Sequence, residues 1–313
     1  MAVIAFGRFL AVRVLHAATT LFLVCVVIFL LTTVLGDPIG SLLPPDAPAA
    51  EYARMRAYYG YDQPLLTQFT RFIFGVVRFD FGVSTMYQKP AMEVLSGTLG
   101  VTLQLALGAF TLAVLVGVPL GMLSGYHANT MIDRGVLTFA TLCQTVPIFV
   151  FGLAMIYLFA IKLRWFPAGG TRGALSFVMP TIALSLWVGA AFIRLGRSAM
   201  RGVLIQQYIL LARAKGLSEL QLLVSHALRN ALAPLISYGG LQFGMLLTGA
   251  VVTESLFGLQ GIGLTVLRAV DDRDLNVVKA GVVVAAFGFV VMNLMADVIH
   301  GLVDPRAMKM PAR

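Results

Sequence analysis

Six polar side chains interrupt long apolar stretches of this 313-residue chain: Gln104, Gln144, Gln242, Asn293, Asp297 and, near the end of its run, Glu254. A polar group held in hydrocarbon is costly and is retained where it meets solute, an ion or a neighbouring helix. Gln104, Gln144, Gln242, Glu254 and Asn293 are therefore candidates for lining a solute pathway. Isolated Gln and Asn serve as often as hydrogen-bond partners between helices, and that reading stands beside the first. Neither reading is catalytic. There is no HExxH, no GxSxG, no GxxxxGK[ST] and no pair of carboxylates at one depth for acid and base work, so the chain is not read as an enzyme. Cys25 and Cys143 lie inside apolar runs, where a thiol behaves as a small hydrophobe. His16, His127, His226 and His300 lack ligand spacing, so neither a metal site nor a disulfide framework is expected.

A second kind of chemistry, docking, is written into residues 207–234, QYILLARAKGLSELQLLVSHALRNALAP. Good helix formers over 203–215 end at Gly216, where a left-handed C-terminal cap is wanted. Ser218 with Gln221 three residues later is a capping-box pattern that starts a second helix, running through His226, Arg229 and Asn230 toward Pro234. A helix-turn-helix DNA reader has a similar outline, but here the second helix feeds into an apolar run and cannot lie free in a groove. The segment is read as a docking element for a soluble protein, with a merely solvated connection as the alternative.

The elements that position these residues are membrane helices. Hydrophobic residues make up 59% of the chain and charged ones 12%, with mean hydropathy +0.89, which leaves no polar shell for a soluble fold. Apolar runs near 14–36, 99–124, 136–161, 177–193, 235–257 and 277–303 are each about the length that crosses a bilayer as helix, so six spans are expected. Arg8 and Arg13 precede the first, but its core is longer than that of a secretory signal, and it is read as a span. Leaving aside the long 37–98 segment, since long loops cross largely regardless of charge, basic residues crowd one set of short loops, with Arg134, Arg194, Arg197, Arg201, Arg213, Lys215 and Arg229 against Lys162, Arg164, Arg172, Arg268, Arg273 and Lys279 on the other. With Arg8, Arg13, Arg306, Lys309 and Arg313 on the richer side, both termini are expected in the cytoplasm. This bias and anionic headgroups account for the net charge of +9 without nucleic acid.

The expected organisation is a cytoplasmic tail and first span (1–36), an external loop (37–98), a transmembrane core (99–303) containing a cytoplasmic loop (194–234), and a cytoplasmic tail (304–313). Pro38, Pro44, Pro45 and Pro48 forbid regular helix at the start of the external loop. Beyond them Leu65, Phe69, Phe72, Val76 and Phe79 mark one apolar helix face, suited to the membrane interface or to capping the bundle. Gly108, Gly117 and Gly121, and Gly239, Gly240, Gly244 and Gly249, allow close helix approach. Pro119, Pro147, Pro180 and Pro234 interrupt or begin helices.

ARAKGLSE followed by HALRNALAP resembles the EAA-type loop of permease subunits of binding-protein-dependent ABC importers, in the dipeptide, oligopeptide and nickel branch, at the first-permease position. YGYDQPLLTQF (59–69), FDFGVS (79–84), TLQLAL (102–107), GVPLGM (117–122), LRWFPAGG (163–170) and DPR (304–306) resemble the same branch in its usual order. The departures are Leu211, Ala212 and Arg213 where EAA would open, and Gln260 where GAVVTESLFGLQGIG would carry proline, which questions the rigidity of that outer turn.

The resemblance implies an all-α integral membrane protein of the type I importer permease fold, in a bacterial inner membrane. It makes Ala212, Arg213, Ala214, Lys215, Gly216 and Leu217 the ATPase-coupling residues, with Arg213 and Lys215 facing acidic groups on that partner. Implied partners are a homologous second permease, two cytoplasmic ATP-binding subunits, an external solute-binding protein and membrane lipid. ATP and Mg belong to the partner subunits, and no cofactor is expected on this chain. The implied substrates are peptides of the dipeptide and oligopeptide class, with nickel, metallophores or glutathione as alternatives. A self-sufficient secondary transporter would need an inverted repeat or a chain of intramembrane charges, and neither is present in the sequence.

Overall fold

The computed structural model describes residues 2–34, 39–40, 43 and 46–303, and these are helical with no named strand. The expected cytoplasmic tail at 304–313, its DPR motif, and Pro38, Pro44 and Pro45 lie outside the described residues.

Helix α1 (Ala2–Phe29) continues as a wider π turn over Leu30–Val34. Two helices of the 37–98 segment follow, α2 (Ala49–Tyr59) and α3 (Leu65–Arg78). Pro48 and Pro64 stand at their N-cap positions, where a missing N–H costs nothing. Helix α4 (Ala91–Tyr126) starts earlier than the apolar run at 99, because Pro90 sets its first turn and polar Glu93, Ser96 and Thr98 hide it from hydropathy.

The expected span at 136–161 is not one helix. Helix α5 (Met131–Thr145) and helix α6 (Ile148–Met155), which continues as a π turn over Ile156–Lys162, meet at 95°. Pro147 disfavours helical backbone at the residue before it, and Val146 is extended at φ −77°, ψ 123°. Helix α7 (Val178–Leu204) leads to the short α8 (Gln207–Ala214) and α9 (Glu219–Leu222). A π turn over Leu223–Leu228 joins α9 to α10 (Arg229–Gly249), which passes through Pro234 without stopping. After it come α11 (Val251–Leu256), α12 (Ile262–Asp271) and α13 (Leu275–Val303).

Among the described residues four helices are long and apolar enough to cross a membrane, and the bent α5–α6 pair raises this to five. The run at 235–257 is not among them: it is divided between α10, which carries Arg229, Asn230 and Gln242, and α11.

Helices α4 and α7 form the tight axis of the bundle. A Cβ at Gly117, Gly121 or Gly125 would lie 2.7, 2.5 and 2.7 Å from the carbonyl oxygens of Gly189, Ile193 and Arg197. This small-residue stripe lets two backbones touch, the packing that replaces the hydrophobic drive in lipid. Around it Leu105, Val188, Phe192, Leu222 and Phe243 make one core. A second core joins Cys25, Phe81, Leu95 and Val277 at the other end of the molecule.

The apolar face of α3 packs rather than floats. Phe72 and Val76 lie against the second core, and Phe69 sits edge-on to Phe22 and Phe29 of α1. Phe79 is the left-handed cap of α3, at φ 54°, and its ring meets Phe287. Leu65 remains exposed.

Candidate functional site

The turn between α8 and α9 is built as its local signals require. Gly216 closes α8 at φ +83°, a conformation that costs residues with a Cβ. Ser218 and Gln221 form the reciprocal capping box: Ser218 Oγ accepts from the Gln221 amide, and Gln221 Oε1 accepts from the Ser218 amide at 3.3 Å. The turn has an anchored side and an open side. Ile209, Ala212 and Leu222 are buried in the same core as α4 and α7, with Leu217 packed against it. Ile205, Leu210, Leu211, Leu220 and Val224 are more than half exposed, a run of apolar surface beside exposed Ala214, Lys215 and Gly216.

Arg213 does not project freely from this face. Its Nε and Nη2 donate to the two carboxylate oxygens of Glu219 at 2.8 and 3.2 Å, across the Gly216 turn. The bonded carboxylate raises the Arg213 guanidinium above its ordinary value. The Tyr126 hydroxyl lies 3.5 Å from Glu219 Oε2, so the end of α4 touches the same pair. Lys215, exposed on the same turn, makes no ion pair with a carboxylate among the described residues.

The polar residues of the spans separate into three groups. Gln144 and Gln242 line one cavity of about 360 Å³ at the Pro147 break, with Pro147, Leu184, Trp187 and Met245 in its walls. Gln242 is 4% exposed; its Nε2 donates to the Tyr238 hydroxyl at 2.6 Å, and its buried Oε1 has no hydrogen-bond partner among the described residues. Arg194 of α7 donates to Gln144 Oε1, bringing a cation to the same break.

Gln104 lies apart on an exposed face of α4, and Asn293 donates to the Phe289 carbonyl of its own helix at 3.0 Å. Asp297 pairs with Arg13 at 2.9 Å, tying α13 to α1.

Glu254 is 0% exposed and works as a brace. Its Oε1 accepts from the Thr102 hydroxyl at 2.6 Å, and its Oε2 accepts from the Leu264 amide at 2.9 Å. Thr102 in turn accepts from the Ile262 amide at 2.8 Å, so α4, α11 and the first turn of α12 are joined. A Cβ at Gly261 would collide with the Glu254 carboxylate, which explains the glycine of the GIG segment. Gln260, beside it, is exposed, and the turn is held by the Gly261 amide donating to Leu259 O at 2.8 Å.

Two buried networks carried little sequence signal. Asp133 of α5, 2% exposed, accepts from Arg197 of α7, from the Ser124 hydroxyl of α4 at 2.6 Å and from the Asn129 amide at 2.7 Å. The TMID string at 130–133, a capping pattern in which Thr130 accepts from the Asp133 amide, is the one local hint of it. Asp274, at 0% exposure, accepts from Ser84 of the FDFGVS motif and from the Val277 amide in the first turn of α13.

Comparisons with known proteins agree with this architecture. The family model for the binding-protein-dependent transport system inner membrane component matches residues 117–309. The chain is 35% identical over 294 residues to the glutathione transport system permease protein GsiC of Salmonella paratyphi A, covering 94% of this chain and 96% of that one. It is 33% identical to GsiC of Escherichia coli K12 with the same coverage. Among solved structures, the inward-facing MetNI methionine ABC transporter aligns with TM-score 0.55 and 16% identity over 68% of this chain and 97% of that one. An amino acid ABC transporter aligns with TM-score 0.51 and 18% identity, over 69% and 94%. These last two share the fold. The chain belongs to the family of binding-protein-dependent transport system inner membrane components, as a multi-pass permease subunit of an ABC importer.

Proposed function

We propose that this permease forms half of a pathway for small peptides, glutathione included, and that its α8–α9 turn is the element through which ATP-binding subunits drive it. The observation that carries the coupling half is the turn itself. One side is locked into the core by Ile209, Ala212 and Leu222, while the other presents Leu211, Leu220, Val224 and Lys215 to solvent. A load applied to the open side reaches α4 and α7 through packed side chains. The peptide class follows from the named relatives, glutathione transport permeases that match the chain along nearly all its length.

In this reading a homologous permease completes the pathway, two cytoplasmic ATPases bind ATP and Mg, and an external solute-binding protein delivers substrate. Both termini are cytoplasmic, with the external segment at 37–98 and the coupling loop within 194–234. Ala212, Arg213, Ala214, Lys215, Gly216 and Leu217 form the coupling set, Arg213 by holding Glu219 across the turn. Gln144 and Gln242, sharing a cavity at a broken helix, are the foremost pathway residues. Gln104 and Asn293 are secondary, and Glu254 shapes the outer end of the pathway as a brace. Nucleotide binds the closed ATPase pair more tightly than the open one, and that difference supplies the free energy for alternating access.

The test is co-purification of the chain expressed with its chromosomal neighbours, followed by ATPase and uptake assays in proteoliposomes with radiolabelled glutathione and a dipeptide. ATP-dependent uptake of either supports the reading. Uptake without ATPase partners, or uptake of neither solute by an intact complex that hydrolyses ATP on addition of binding protein, overturns it.

A further inference from the structure

At the end of the bundle opposite the α8–α9 turn lies a cavity of about 860 Å³ between α1, α3, the 79–88 loop and the start of α13. Its lining carries Arg71, Arg78, Arg273 and Lys279, and among the described residues Asp80 is its only carboxylate. Asp274 is buried behind Ser84 and is not in the lining. Arg71 is occupied by the chain, donating to Gln63 Oε1 at 2.9 Å and to the Tyr59 carbonyl. Asp80 is partly occupied too, accepting from the Gly82 amide at 3.0 Å.

Lys279 is the anomaly. It is 8% exposed, lies one turn inside α13, lines this cavity, and makes no hydrogen bond or ion pair among the described residues. Burying an ammonium without a partner is expensive, so a position that keeps one is built for an anion that arrives from outside the chain.

The level of the cavity identifies the anion. Thr33 ends the apolar length of α1 and Leu275 begins that of α13, and both are in the lining, so the cavity straddles the boundary where hydrocarbon gives way to headgroups. Exposed Tyr58, Tyr59 and Phe74 rim it, as aromatic side chains do at that depth. We propose that this cavity binds the phosphate group of an anionic phospholipid, with Lys279, Arg78 and Arg273 as its cationic contacts. Basic pockets between membrane helices take such headgroups, each cation adding about 1 kcal/mol of attraction.

The experiment places the full-length chain in nanodiscs of phosphatidylcholine with and without phosphatidylglycerol, reading thermal stability and, by native mass spectrometry, retained lipid. The wild type is expected to gain stability with phosphatidylglycerol and to retain it. Lys279→Met should be at least as stable as wild type in phosphatidylcholine, having lost an unpaired charge, yet should retain about fivefold less phosphatidylglycerol and gain less from it. Arg78→Gln is the second variant, should Lys279→Met fail to fold, and Lys89→Met is the control that keeps the full gain. Inorganic phosphate and glycerol 3-phosphate, added in detergent, separate the sources: protection matching that of the lipid keeps the phosphate site and assigns it to a soluble ligand. Equal gains in wild type, Lys279→Met and Arg78→Gln, or equal protection by phosphatidylcholine alone, overturn the proposal.

Discussion

Arg197 grips Asp133 with two hydrogen bonds, Nε to Oδ1 at 2.6 Å and Nη2 to Oδ2 at 2.7 Å, in a pocket where the carboxylate is 2% exposed. The pair fastens α5 to α7, and Ser124 adds α4. Removing one partner of a buried pair leaves the other charge uncompensated, at about 3–5 kcal/mol. Asp133→Ala is expected to reduce the folded yield sharply, and Asp133→Ala with Arg197→Met to recover part of it. Fluorescence-detected size exclusion after heating would show both effects.

Gly216 has no atom within 4 Å of the place a Cβ would occupy, so only its left-handed backbone resists substitution. Gly216→Val costs about 1–2 kcal/mol there. The chain should still assemble, while the orientation of α9 relative to α8 changes. ATP hydrolysis that persists without uptake is the expected signature, and Gly216→Asn, which tolerates this conformation better, should retain more transport.

The stripe on α4 is a packing contact and makes the opposite prediction. Gly121→Val drives a side chain into the Ile193 backbone, whereas a Cβ at Gly100 meets nothing within 4 Å. Gly121→Val should abolish insertion of a folded bundle, and Gly100→Val should leave expression near wild type, as read by membrane yield and protease resistance.

Glu254 and Gly261 should be energetically coupled. Gly261→Ala pushes a methyl into the carboxylate, and Glu254→Ala strands the Thr102 hydroxyl and Leu264 amide at about 1–3 kcal/mol for each unsatisfied group. Because the clash vanishes when the carboxylate is gone, the double variant should cost less than the sum of the two. Melting temperatures of the four proteins in the cycle measure the difference.

Gln242 holds a buried carbonyl oxygen with no partner among the described residues, so Gln242→Leu relieves that cost while giving up the Nε2 bond to the Tyr238 hydroxyl, and a net change within about 1 kcal/mol is expected. If that oxygen is kept for solute, the same change should lower uptake several-fold. A stable variant with unchanged transport would remove Gln242 from the pathway.

What the sequence made readable was local. Gly216, Ser218 and Gln221 announce the turn between α8 and α9 because a cap needs only residues three positions apart, and the structure contains that capped turn. Hydropathy found the apolar runs but misjudged what becomes of two. At 136–161 one proline turns a continuous run through 95°, and at 235–257 a helix that opens on Arg229 and Asn230 and carries Gln242 midway is finished by a separate short one. The ion pairs and braces were hidden for a different reason. Arg13 with Asp297, Arg197 with Asp133 and Thr102 with Glu254 are far apart in the chain, and each residue alone reads as a loop charge or a lone polar group. Arg213 was expected to face a partner's acidic groups, but its own Glu219 sits across the turn, and only the folded turn closes that distance.

The glycine stripe also decides how motion can travel. Backbones packed closely at three successive turns resist sliding past one another, so α4 and α7 are expected to tilt together. At 1.5 Å per residue the 36 residues of α4 span about 54 Å. Each degree of tilt about the middle then carries either tip through about half an ångström. One tip, at Tyr126, rests against Glu219 beyond the Gly216 turn, while the other, at Ala91 and Leu95, is set in the second core beneath α3. A nudge at one water boundary is thereby felt at the other without any helix having to unwind.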